Sequence, residues 1–163
     1  MRAPAGPTSG HIAGGVHVLP LRIYYEDTDA AGIVYYANWL RFLERGRTEL
    51  LRLIGQEHSA LRDEQGVNWV VRRLAIDYLK PARLDETIEV VTGCGELRGA
   101  SLDMIQHARR GEDILVRAEL VVACMGTNGR PVRLPPQLRT ALARVVTHKV
   151  AAGDSPRSRH IQV

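Results

Sequence analysis

Residues 24–38 read Tyr24-Tyr25-Glu26-Asp27-Thr28-Asp29-Ala30-Ala31-Gly32-Ile33-Val34-Tyr35-Tyr36-Ala37-Asn38. A β-type run breaks here into an acidic, glycine-containing loop and then enters a long amphipathic helix. Carboxylates stand at Glu26, Asp27 and Asp29, a bend point at Gly32, and close behind them a helix start whose unpaired backbone N–H groups polarise an oxygen. A carboxylate beside an oxyanion donor is the equipment of a hydrolase, so this stretch is the candidate active site.

Working outward, Val18, Leu19, Leu21, Ile23 and Tyr25 give the mostly alternating spacing of a first strand, for which Pro20 suggests an edge position or a late start. On the other side of the loop, Tyr36, Leu40, Leu43, Leu50 and Ile54 fall on one helical face, with Arg41, Glu44, Arg45, Thr48, Glu49 and Arg52 largely opposite. Gly55 supplies the left-handed C-cap, and Gly46 on the apolar stripe predicts a close approach to a neighbouring element. A short helix or turn over 58–65, closed by Gly66, leads into four runs of alternating residues: Trp69–Leu79, Thr87–Leu97, Ser101–Arg109 and Ile114–Met125. The short connections Arg98-Gly99-Ala100 and Arg110-Gly111-Glu112-Asp113 make antiparallel hairpins, so these strands read as a meander. Pro135 and Pro136 open a last helix through Leu138, Leu142 and Val145. The expected class is α+β, a curling antiparallel sheet wrapped around one long helix. Residues 1–16 read as a flexible arm, 17–148 as a single domain and 149–163 as a flexible tail.

With 163 residues and 45% hydrophobic content the chain buries a core large enough for one domain. A formal net charge of +4, spread along the chain, suits an anionic small molecule, and no helix-turn-helix, zinc-finger spacing or aromatic RNA-binding motif points to nucleic acid. Cys94 and Cys124 lie in apolar strand-like runs without a Cys-x-x-Cys partner and read as small core residues, which fits a reducing cytoplasm. No stretch has the length of a membrane span or a signal peptide, so a soluble cytoplasmic protein without membrane insertion is expected.

The motif Tyr25-Glu26-Asp27-Thr28-Asp29-x-x-Gly32-x-Val34-Tyr35-Tyr36-x-Asn38, followed by Phe42-x-Glu44-x-x-Arg47-Thr48-Glu49, resembles the hotdog-fold acyl-CoA thioesterases. Within them it is similar to the 4-hydroxybenzoyl-CoA thioesterase-like group and to the bacterial enzymes associated with the Tol-Pal envelope system. Val70-Val71-Arg72, Ile76-Asp77-Tyr78-Leu79-Lys80-Pro81-Ala82-Arg83-Leu84-Asp85-Glu86 and Arg98-Gly99-Ala100-Ser101-Leu102 extend the likeness over about residues 18–145. The resemblance implies a hotdog fold, a five-stranded antiparallel sheet around a central helix, assembled as a homodimer or homotetramer with sites at the subunit interface. It implies hydrolysis of acyl-CoA without metal or redox cofactor, coenzyme A being part of the substrate. Carried onto this sequence, the catalytic carboxylate falls on Asp29 and the carbonyl-polarising backbone N–H on Tyr36. The Tol-Pal-associated enzymes commonly carry histidine at the position of Tyr36, whereas the hydroxybenzoyl-CoA enzymes carry tyrosine.

The resemblance gives Asp29 the role of nucleophile or of general base toward water. By spacing alone it reads as a turn or helix-capping residue, and the motif outweighs that reading. Glu26 and Asp27 read as solvated loop residues. Gly32, Val34, Tyr35 and Asn38 are candidates for lining the substrate site, although Asn38 also suits a loop-orienting hydrogen bond. Arg72, Arg73, Lys80, Arg83 and Arg98 are candidates for the coenzyme A phosphates. Glu44, with Arg47 three residues on, reads as a helix-surface ion pair. A hotdog hydratase or dehydratase, and a binding module for an acyl carrier protein or envelope-biogenesis partners, are the competing readings.

Overall fold

The computed structural model describes residues 8–145, so the expected tail over 149–163 and the first seven residues of the expected arm lie outside the described residues. Among the described residues, six strands and three α-helices follow one another as β1 (His11–Ala13), β2 (Val16–Arg22), α1 (Asn38–Leu53), α2 (His58–Gln65), β3 (Val67–Tyr78), β4 (Thr87–Leu97), β5 (Ser101–Arg110), β6 (Asp113–Gly126) and α3 (Pro136–Ala143). The strands form one antiparallel sheet in the order β1-β2-β4-β5-β6-β3.

Two features correct the expected layout. The sheet has six strands, not five, because Gly14 and Gly15 take positive φ angles of 58° and 78° and turn His11–Ala13 back onto β2. Part of the segment expected as a loose arm is therefore a hairpin. The meander comprises β4, β5 and β6 alone: β3 pairs with β6 at the far edge, and residues 79–86 carry the chain across to β4. That crossing places Pro81–Glu86 beside the acidic loop.

Helix α1 is laid along the sheet by Trp39, Phe42, Leu43, Gly46, Arg47, Leu50 and Leu51, a stripe at helical spacing. The stripe is rotated from the expected one. Leu40 is exposed, while Trp39, Phe42 and Leu51 are buried, since the bulky aromatics fill the inner face better. Trp39, Phe42 and Leu43 pack with Ile88, Val90 and Leu115 at one end. Leu50 and Leu51 pack with Cys94, Leu102, Leu138 and Leu142 at the other. Each such fully buried leucine contributes roughly 1.5–3 kcal/mol. On β4 and β5 the expected alternation holds, Ile88, Val90, Thr92 and Cys94 and then Leu102, Met104, Gln106 and Ala108 all facing inward.

Strand β3 departs from it. Its register against β6 shifts between Val71 and Arg73, so Val67 and Trp69 pack on the core before the bulge, and Leu74 and Ile76 after it. Val70, expected on the same face as Leu74, points instead into an outer cleft. Burial raises the thiol of Cys94 to about 12 and that of Cys124 to about 11, so both remain protonated core side chains at neutral pH.

Candidate active site

The acidic loop is a small hydrogen-bonded structure in its own right. Tyr25–Asp27 makes one turn of 3₁₀ helix. Thr28 then pairs with Val34 as an antiparallel bridge, and the loop between them closes through Asp29 N–H to Ile33 C=O, 2.9 Å, and Gly32 N–H to Asp29 C=O, 2.9 Å. Gly32 sits at φ +73° with open space where a Cβ would go, so its requirement is conformational rather than steric. The crossing from β3 to β4 fixes the loop from outside: Val34 N–H donates to Ala82 C=O at 2.9 Å, and Ile33 bridges to Arg83.

The three carboxylates separate by role. Asp27, expected as a solvated residue, is 6% exposed; its Oδ2 accepts the Tyr24 N–H at 2.8 Å. Its carbonyl accepts both the Tyr35 N–H at 2.9 Å and Asn38 Nδ2 at 3.0 Å, tying the loop's entry to its exit. Glu26 is exposed. Asp29 is half-buried, and its Oδ1 accepts the Ala31 N–H at 2.8 Å, which orients the carboxylate; no hydrogen bond to Oδ2 occurs among the described residues.

The loop's return leg runs straight into α1. Ala37 is the N-cap, and no side chain caps this helix. Asn38 N–H turns back to Tyr35 C=O at 2.8 Å, whereas the N–H groups of Tyr36 and Ala37 donate to no group among the described residues. Two open donors therefore stand at the positive end of the helix dipole. Tyr36 itself is 61% exposed, its ring 4.7 Å from Tyr35 and 6.3 Å from Tyr78, both edge-on. The Tyr35 phenol is held above its usual range by a hydrogen bond with the Tyr36 side chain, then by that group's charge and by burial, with the Asp29 carboxylate adding a smaller contribution.

Of the expected substrate-lining residues, Gly32 and Tyr35 lie at this surface beside Tyr36, whereas Val34 is 4% exposed and supports the loop from the core. The Asn38 carboxamide is engaged with Asp27. The expected phosphate-binding residues divide. Arg83 is brought to the loop, and Lys80, in the same crossing, is paired with Asp113. Arg72 lines an apolar cleft of about 390 Å³ on the other face of the sheet, with Val70, Ser101 and Met125. Arg98 lies next to that cleft's Ala100 but is clamped by both oxygens of Asp103, at 2.7 and 2.6 Å, and by Glu96 at 3.1 Å. Arg73 is exposed, and no hydrogen bond or ion pair joins it, Arg72 or Arg98 to the loop among the described residues.

Two residues escape a reading by sequence. Arg47, expected in a surface pair, is 4% exposed and carries Glu44 on one side while donating to Gln106 Oε1 at 2.8 Å on the other. Tyr78, at the end of β3, reaches 42 residues back to the helix start, its hydroxyl donating to the Tyr36 carbonyl at 3.1 Å. Its parity along β3 places it on the same face as Leu74 and Ile76, but nothing along the chain shows that its hydroxyl meets the helix start there.

Residues 24–142 match the model of the thioesterase-like superfamily. The chain is 42% identical over 123 residues to a protein of Haemophilus influenzae named acyl-CoA thioesterase YbgC, covering 75% of this chain and 90% of the relative. It is 41% identical over 119 residues to the acyl-CoA thioester hydrolase YbgC of Escherichia coli O6:H1, covering 72% and 85%. Among solved structures, a probable thioesterase from Bartonella henselae superposes with a TM-score of 0.70 at 37% identity, covering 74% of this chain and 99% of that one.

Proposed function

Because the chain belongs to the thioesterase-like superfamily, with a hotdog fold, we propose that it hydrolyses acyl-CoA thioesters to a free acid and coenzyme A. The observation that carries the reading is the pairing of a half-buried Asp29, fixed on a rigid turn, with an uncapped helix start whose Tyr36 N–H is open. The thioester carbonyl oxygen accepts from that N–H, and the negative charge that develops on it is met by the helix dipole. Asp29 then either attacks the carbonyl carbon, expelling the thiolate and leaving a mixed anhydride for water to open, or takes a proton from water as that water attacks. Neither route requires a cofactor. The competing hydratase reading calls for an imidazole beside the acyl chain, and residues 24–38 contain none.

The site is exposed in one chain. Tyr24, Tyr25, Tyr35, Tyr36, Tyr78 and Leu79 lie open around it, and the 12-residue β3 is an edge strand. A second copy covering this edge forms the homodimer or homotetramer of the proposal and walls the acyl site. Delivery by an acyl carrier protein, a role beside the Tol-Pal system and a cytoplasmic location belong to the same reading, the last supported by the two buried thiols.

The test is release of thiol from a panel of short-chain, long-chain and benzoyl-type CoA esters by the purified protein. Turnover is expected for at least one class, and sedimentation should show a dimer or tetramer. Absence of turnover throughout the panel defeats the assignment.

A further inference from the structure

The open N–H groups at the start of α1 belong to two consecutive peptide units, and each unit is held by its carbonyl. The Tyr35–Tyr36 unit, which carries the Tyr36 N–H, is held where Tyr35 C=O accepts the Asn38 N–H at 2.8 Å. The Tyr36–Ala37 unit, which carries the Ala37 N–H, is held where Tyr36 C=O accepts the Tyr78 hydroxyl at 3.1 Å. Peptide units are planar, so fixing the carbonyl fixes the direction of the N–H on its other side. A hydrogen bond accepted by the oxygen also polarises the amide and strengthens the N–H as a donor. The first anchor is local to the turn. The second arrives from the end of a different element, β3, and its ring is packed edge-on against the Tyr36 ring with centroids 6.3 Å apart.

We propose that Tyr78 is a positioning residue for the hydrolysis inferred above, and that it makes the Ala37 N–H a second oxyanion donor beside that of Tyr36. The proposal rests on the thioesterase reading and goes beyond it by giving the oxyanion site two donors and by assigning a role to a strand-end hydroxyl far from the loop in sequence. Tyr78 does not touch the reacting atoms. It acts through the Tyr36 carbonyl, so its effect falls on the transition state, where charge has moved onto the oxygen, more than on the bound ester.

Tyr78→Phe keeps the ring and removes only the donor. In the full-length protein, kcat for thioester hydrolysis should fall about fivefold, the factor that one neutral hydrogen bond carries. KM should stay within about twofold of wild type, because a uniform binding loss is not involved. With ¹³C-carbonyl tyrosine and ¹⁵N-alanine labels in the resting protein, the Tyr36 carbonyl and Ala37 amide resonances should both shift in the variant. A thermal melt coincident with wild type shows that the fold is retained. The proposal is overturned if kcat is unchanged, if KM rises in proportion to any loss, or if neither resonance moves. Failure of the thioesterase reading has a different signature, since wild type itself then turns over no ester, and the catalytic role of Tyr78 falls with it.

Discussion

At the scale of single residues, the loop sorts three neighbouring acids by what their oxygens and carbonyls hold. Asp27 is buried, and its main chain and side chain together close the loop. Its replacement by alanine strands the Tyr24 N–H and should cost about 1–3 kcal/mol, read as a lowered denaturation midpoint. Asp29 combines a turn-forming bond to Ala31 with a second oxygen open to chemistry. Asparagine and alanine substitutions separate these functions. Asp29→Asn preserves an oxygen for the Ala31 N–H and loses the charge, so stability should stay within about 0.5 kcal/mol of wild type while kcat falls by about 10²-fold or more. Asp29→Ala should lose the same activity and some stability as well. Full turnover by Asp29→Asn would remove the carboxylate from the mechanism. The proposed joining of Asp29 and Tyr36 in one site is readable in the sequence only through the motif, because turn-forming aspartates are common. The burial of Asp27 has no sequence signature at all: it depends on where Tyr35 and Asn38 return in space.

At the scale of elements, α1 is held to the sheet by two apolar patches with a polar layer between them. Gly46 lets the helix approach so closely that an added Cβ would stand 2.7 Å from Val90 Cγ1 and 3.0 Å from Thr92 Oγ1. Beside it Gln106 donates to Leu43 C=O at 2.9 Å and to Thr92 Oγ1 at 2.8 Å while accepting from Arg47. Gly46→Ala gains helix propensity of about 1 kcal/mol and loses more through overpacking, about 1–3 kcal/mol, so a net destabilisation is expected in urea unfolding. An unchanged or raised midpoint would show that β4 yields. Gln106→Ala takes away the sheet partner of the Arg47 guanidinium while Glu44 still pairs with it, and should cost about 1.5–3 kcal/mol, the range for a hydrogen bond to a charged group. The sequence announces the glycine on the stripe and the alternation of β4 and β5. It conceals the arginine, since a charge next to Glu44 at three residues' spacing reads as solvated, and nothing along the chain reveals that Gln106 waits opposite. The bulge in β3 is half-concealed: Val70-Val71-Arg72-Arg73 breaks the alternation, but only pairing with β6 shows that one residue has dropped out of register.

For the whole molecule, one buried and two half-buried histidines contribute to how stability responds to pH. His17 is fully buried on β2, and burial pulls its pKa below the ordinary imidazole value despite its bond to the Ser9 carbonyl and the nearby Glu49 charge. His58, at the start of α2, is lowered first by burial, with Arg47 and Arg52 adding to the effect and Glu44 opposing it. His107, on β5, is lowered by burial and then by Arg109 and Arg117. In every case the unfolded chain binds the proton more readily than the folded one. Between the folded and unfolded pKa values the unfolded state therefore carries more protons, and stability rises with pH. Well above about pH 6.5, the ordinary imidazole value, all three become neutral in both states and their contribution to the slope fades. The melting temperature should accordingly be level from pH 7 to 8 and fall as pH drops below about 6.5, before the carboxylates begin to protonate. His17→Gln, which cannot titrate in this range, should flatten part of that fall and leave the neutral plateau level. Differential scanning calorimetry at pH 5, 6, 7 and 8 reads both effects, and a wild-type melting temperature that climbs on acidification to pH 5 would mean that these imidazoles gain protons on folding, contrary to the surroundings described.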